Sequence, residues 1–182
     1  VDRFDCAPWA IAAGANTETA RETEKRSHMS RSLYTPEERA RRDASPWTLV
    51  QGILAPFQFL VFLTSLWLVL SYLSTGEGLA VARASIVFKT LVLYAIMITG
   101  AIWEQRVFGC YLFARSFFWE DVFSIAVLGL HTAYLGAVVL GAPIDVQFDI
   151  ALMAYASYVI NATQFLLKLR AARLQVSGKA SP

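Results

Sequence analysis

Phe117–Tyr134 reads FFWEDVFSIAVLGLHTAY, and what this stretch becomes decides the fold. Two adjacent carboxylates, Glu120 and Asp121, open a run that is otherwise apolar enough to lie in a lipid bilayer. A single His131 follows ten residues after Asp121, about 15 Å further along if the run is helical. From Asp121 to Leu140 no further Asp, Glu, Lys or Arg occurs, and Phe118–Leu140 is longer than the ~20 residues a crossing helix needs. Lipid penalises ionisable groups, so these three side chains require a reason.

The rest of the chain agrees with a membrane setting. Of 182 residues 56% are hydrophobic and 16% charged, with a mean hydropathy of +0.46. Half of the Lys and Arg residues fall within residues 1–45, which leaves long uncharged runs beyond. This composition describes a membrane domain with a polar head rather than a soluble domain. A net charge of +2 offers no basic stripe for nucleic acid. Cys6 and Cys110 suggest no disulfide framework. Two histidines, His28 and His131, are too few for a histidine-rich metal centre. No phosphate loop, CxxC pair or HExxH is present.

Four spans are expected: Trp47–Leu73, Ala84–Trp103, Phe118–Leu140 and Phe148–Leu169. Pro56 predicts a tilt or kink in the first. Trp47, Trp67, Tyr72, Trp103 and Trp119 supply aromatic belts. Ahead of the spans, Thr35-Pro36-Glu37-Glu38 combines an N-cap, a first-turn proline and a capping box. It opens a short charged helix ending near Arg42-Asp43 that lies at the membrane surface; Ser45-Pro46 repeats the signal for span one. The expected fold is all-α: an integral membrane four-helix bundle with a short N-terminal interfacial helix. Residues 1–28 read as a disordered polar extension that need not belong to the natural mature chain, Met29 being the better start. Residues 29–45 form the segment with the interfacial helix, 46–174 the membrane domain, and 175–182 a disordered tail.

Arg31, Arg39, Arg41 and Arg42 precede span one. Arg106 and Arg115 lie between spans two and three, and Lys168, Arg170, Arg173 and Lys179 follow span four. The other loops hold Glu77 and Arg83, then Asp145 and Asp149. The positive-inside rule puts both termini and the middle loop in the cytoplasm. Glu104 then ends span two at the level where Glu120 and Asp121 start span three, and the bundle makes them neighbours. The plain alternative is three solvated interfacial charges, capping span three or pairing with Arg106 and Arg115. A helix N-terminus favours the anion at Glu120 and Asp121. Glu104, at a C-terminus and partly buried, is favoured as the neutral acid. One charged and one neutral carboxyl side by side is what acid–base chemistry requires.

His131 shares a face with Glu120 and lies one turn from Tyr134. Hydrogen bonding to Tyr134, Thr132 or a neighbouring helix is its bland role. Its functional role would be an axial ligand to a metal already carried by a bound macrocycle, since one imidazole cannot hold a free metal. Lys89, inside span two, can snorkel outward (the plainer reading), pair with Asp145 or Asp149, or hold a substrate carboxylate. Gln51, Gln58, Asn161 and Gln164 put further polar groups inside spans one and four. Tyr94, Tyr155 and Tyr158 offer packing surfaces with hydroxyls available to a ligand. Inward polar groups, one histidine and many aromatics suit a flat, apolar, aromatic substrate.

The words YTPEERARRDASPWTLVQGILAP, KTLVLYAIMITGAIWE, FFWEDVFS, LHTAY and VINATQFLLKLRAARL, in this order and spacing, resemble the 3-vinyl bacteriochlorophyllide hydratase family. The similarity runs from about Leu33 to Leu174. The family pattern has a proline shortly before FFWED where this chain has Ser116, which bears on the shape of that loop and on Arg115. The resemblance implies addition of water to the 3-vinyl group of chlorophyllide a or a related chlorin, in the cytoplasmic (photosynthetic) membrane of an anoxygenic phototroph. It implies a chlorin substrate bringing its own Mg²⁺, no separate cofactor, and other bacteriochlorophyll-synthesis enzymes as neighbours. On that footing Glu104 is the general acid, and Asp121 or Glu120 the base that orients water. His131 would approach the substrate's Mg²⁺; Arg106, Arg115 or Lys89 would pair with its propionate; and Tyr134, Asn161 and Gln164 would line the substrate. Two rival readings are a non-catalytic membrane chlorin carrier or assembly subunit, and a purely structural membrane subunit.

Overall fold

The structure is a computed structural model that describes residues 34–177; the expected extension 1–28 and the end of the expected tail lie outside them. Its helices run α1 Pro36–Ala44, α2 Pro46–Thr75, α3 Leu79–Phe108, α4 Phe118–Val139 and α5 Ile144–Ser177. The last four are long and apolar enough to cross a membrane, and the fold is the expected all-α bundle.

Local chemistry sets the boundaries. Glu38 N–H donates to Thr35 Oγ1 at 3.2 Å and Thr35 N–H to Glu38 Oε2 at 2.7 Å, closing the capping box that starts α1. Ser45 differs from expectation: α2 does begin at Pro46, but the Ser45 hydroxyl makes no cap bond. Thr48 Oγ1 instead donates to the Arg42 carbonyl at 2.6 Å, tying α1 to α2. Pro56 removes one backbone donor, yet α2 continues as one helix through it. Gly76 ends α2 at φ 76° and Gly78 precedes α3 at φ 83°, left-handed values that a Cβ would strain.

These turns produce two antiparallel hairpins, α2–α3 and α4–α5. Within each hairpin the backbones approach closely; fully buried Ala151 and Ala154 keep the α5 surface low. Between hairpins the backbones stay apart, and large side chains cross the gap. Phe62 meets Tyr155 edge-on at 5.6 Å and Tyr158 at 4.7 Å between ring centroids. Ser65 Oγ links Tyr155 OH at 2.5 Å to Ser85 Oγ at 2.8 Å. Outward faces carry exposed Leu49, Ile53, Trp67, Leu91, Ile98 and Leu167. A helix apolar on both faces belongs in lipid.

The loop 109–117 and Lys168 lie at one end of the bundle, the proximal end. There α1 packs against α3 rather than standing apart from the bundle. Tyr34, just ahead of α1, is buried and stacks on Phe108 at 5.8 Å and 11°. Trp103 and Phe117 complete this aromatic group, and Phe165 of α5 stacks on Phe117.

Candidate active site

The three carboxylates converge. α3 ends one turn past Glu104, the loop 109–117 turns back, and α4 begins two residues before Glu120, so all three reach the proximal end. Each is buried: Glu104 and Asp121 are 5% exposed and Glu120 8%. The Glu104 and Asp121 carboxyls lie within hydrogen-bonding reach of each other. Two carboxyls so placed bond to each other only when one of them carries a proton.

The loop clamps both from outside. Phe113 N–H donates to Asp121 Oδ2 at 2.7 Å and Ala114 N–H to Glu104 Oε2 at 3.3 Å. Phe113 does this at φ 63°, a left-handed conformation unfavourable for an aromatic residue. Backbone strain that aims an amide at a carboxylate belongs to a positioned site. Glu120 takes a separate partner, with Lys168 Nζ 2.6 Å from its Oε2. Lys168 also donates to the Ser116 carbonyl and lies 4.8 Å from the Phe117 ring centroid. Tyr34 is buried at the same end against Phe108 and Phe117, and burial pushes its phenol above the usual tyrosine value.

Three expectations change. The carboxylates pair neither with Arg106 nor with Arg115, both of which are exposed; the cation that arrives is Lys168, brought back by α5. Sequence counted Lys168 only as a terminal positive charge, because which face of α5 turns inward is set by packing. Lys89 does not snorkel. The helix α3 starts at Leu79 rather than Ala84, so Lys89 is nearly three turns inside; it is fully buried, too far in for its stem to reach water. Its Nζ is 2.6 Å from His131 Nε2, with Tyr158, Tyr155 and Phe62 centroids at 4.5, 4.9 and 5.6 Å.

His131, fully buried, therefore bonds neither Tyr134 nor Thr132. Its Nδ1 is 2.8 Å from the Val127 carbonyl, which fixes the proton on Nδ1 and leaves Nε2 to accept from Lys89. With both nitrogens engaged, an axial bond to a substrate magnesium would first require Lys89 to leave. The acids Asp145 and Asp149 are exposed and make no ion pair with Lys89.

Between the carboxyl pair and Lys89 lie further polar groups. Asn161 Nδ2 donates to Ser124 Oγ at 2.9 Å, while Asn161 Oδ1 and Gln164 Oε1 have no partner. Gln58, one turn proximal to Phe62, is 2% exposed with neither amide atom paired; beyond His131, one turn further from the carboxyl pair, the buried Tyr134 hydroxyl is also unpaired. Buried polar atoms without partners are costly and mark places where a ligand can supply the missing bonds. Gln58 and Tyr134 sit on inward faces, legible once the span registers are known. Among the described residues no group of three or more His, Cys, Asp or Glu is arranged to hold a metal.

A family profile described as 2-vinyl bacteriochlorophyllide hydratase matches residues 34–171. A 2-vinyl bacteriochlorophyllide hydratase of Cereibacter sphaeroides is 68% identical over 146 residues, covering 80% of this chain and 91% of the relative. One of Rhodobacter capsulatus is 65% identical over 149 residues, covering 82% and 87%. No solved structure matches.

Proposed function

This chain belongs to the 2-vinyl bacteriochlorophyllide hydratase family, and from that premise we propose how its own residues add water to a chlorin vinyl group. The activity is that of a hydro-lyase of bacteriochlorophyll synthesis, working in a membrane. The vinyl carbon position named 2 in the family's name is the one called 3 above, under a different ring numbering.

Hydration in the sense that gives a 1-hydroxyethyl group protonates the terminal vinyl carbon and adds water to the inner one. The cation formed between these steps is delocalised into the macrocycle. The protein must supply a proton, a base for the incoming water, and walls against bulk solvent. Glu104 delivers the proton and Asp121 takes one from the attacking water, each contributing about 10²–10⁴ in rate. Because the two carboxyls are hydrogen-bonded, the proton gained by Asp121 returns to Glu104 across that bond. The pair holds one proton before and after each turnover, so no net proton need be exchanged with solvent. Glu120, neutralised by Lys168, supports the water site. The adjacency of these two buried carboxyls is the observation that carries the reading.

Cofactor, substrate and placement follow as parts of the same proposal. The magnesium is the substrate's own, no further cofactor takes part, and the substrate is chlorophyllide a or a close chlorin. The membrane is the bacterial photosynthetic (cytoplasmic) membrane. The arginines around α1 and the loop 109–117 favour the proximal end, and with it both termini, on the cytoplasmic side. The exposed face of α1 is then available to neighbouring enzymes of the pathway.

The test is direct. Membranes containing the protein, incubated with chlorophyllide a, should convert it to a product heavier by one water, with the red-most absorption band moved to the blue. Unchanged pigment in the presence of folded protein would remove the proposal.

A further inference from the structure

We propose that Lys89, held by His131, is the anchor for the ionised carboxyl group of the substrate, so that the ring stands edge-on between the hairpins with its vinyl group at Glu104 and Asp121. The inference rests on the hydratase reading and assigns the partner of the ring's acid chain. Three cations could have met that carboxyl on sequence grounds, and the structure separates them. Arg106 and Arg115 are exposed at the proximal end, the same end as the carboxyl pair. The vinyl group and the acid chain sit on neighbouring pyrrole rings of the rigid macrocycle and diverge, so with the vinyl group at the carboxyl pair the acid chain points away from that end.

Lys89 lies at the other end of the required span. Asp121 and His131 are about 15 Å apart along α4, and Glu104 and Lys89 about 22 Å along α3 before their side-chain reach is subtracted. A chlorin with its propionate chain extended covers a comparable length. The free acid also matters: a bacteriochlorophyllide, as in the relatives' names, carries its propionate unesterified. A carboxylate drawn into a membrane interior needs a placed counter-charge.

The immediate surroundings fit an incoming acceptor. Lys89 donates to His131 Nε2 and otherwise faces the rings of Phe62, Tyr155 and Tyr158, with no carboxylate of the described residues beside it. An ammonium packed only against one imidazole and ring faces has donors to spare. A carboxylate would take those donors while His131 keeps its bond. The pair is neutral in sum whether the shared proton rests on nitrogen or oxygen. Gln58, one turn from Phe62, adds unpaired buried polar atoms on the proximal side of Lys89, and the unpaired Tyr134 hydroxyl lies one turn beyond His131.

The test uses the full chain in lipid nanodiscs with two probes, a vinyl chlorin free acid and its methyl ester. Binding is followed by absorption titration and hydration separately by mass. The unmodified protein should bind the acid about tenfold to a hundredfold more tightly than the ester, the range of one charged hydrogen bond. Lys89→Met should bring that ratio towards one. Equal binding of acid and ester by the unmodified protein would overturn the anchor whether or not hydration occurs, and does not depend on any variant folding. A Lys89→Met protein that keeps the full ratio would overturn it too. Failure to hydrate either probe would remove the hydratase reading, while the binding ratio still decides the anchor.

Discussion

At the scale of single residues, the site depends on which cation each acid meets. Lys168 contacts Glu120 and the Ser116 carbonyl together, so it fixes both the α4 start and the clamping loop. Removing one member of a mostly buried pair leaves the other desolvated and alone. Lys168→Met should therefore lower stability by about 1–3 kcal/mol, and the double change Lys168→Met/Glu120→Gln should recover much of that loss. A thermal unfolding cycle on the four proteins measures it; a double variant no more stable than Lys168→Met would show that the pair is not coupled. Register along α3 and α4 was enough to bring Glu104, Glu120 and Asp121 to one level before any coordinates. The partners were not legible in the same way. Whether Lys168 or Arg106 turns inward, and whether Lys89 reaches water, depends on helix rotation and on five additional residues at the start of α3. An apolar helix with no polar stripe does not encode its own rotation.

Among the elements, α1 and the loop 109–117 govern access to the carboxyl pair. The capping box and Pro36 made α1 readable from sequence. Its seat did not follow from them, because that depends on Tyr34, which precedes the helix and stacks into the aromatic group of α3 and the loop. Arg42 lies over the Tyr34 ring, 4.8 Å from its centroid. Losing a buried aromatic side chain costs about 3–5 kcal/mol in a well-packed core, more than a short helix held at one edge can withstand. Tyr34→Ala should release α1 and speed tryptic cleavage at Arg39, Arg41 and Arg42 while the four spans remain intact. Unchanged cleavage would mean that α1 is held by contacts other than Tyr34. Thr35→Ala, which removes only the cap, should act in the same direction by about 1 kcal/mol.

For the whole molecule, the architecture is two tight hairpins with a side-chain-bridged seam, and the candidate site lies along that seam. Span number and order were legible because lipid demands long apolar helices; the looseness between hairpins was not, since it arises from how bulky residues such as Phe62, Tyr155 and Tyr158 meet across it. At one end of the seam sit two adjacent buried carboxyls, and deeper in it Lys89 and His131 face one another. In the proposed mechanism the carboxyl pair performs the proton transfers on a ring bound in this seam. Glu104→Gln tests that most directly, because it preserves shape and removes the transferable proton. Measured on one preparation, chlorin binding should stay within about threefold while turnover falls about 10²–10⁴-fold; turnover at the unmodified rate with binding intact would contradict the claim.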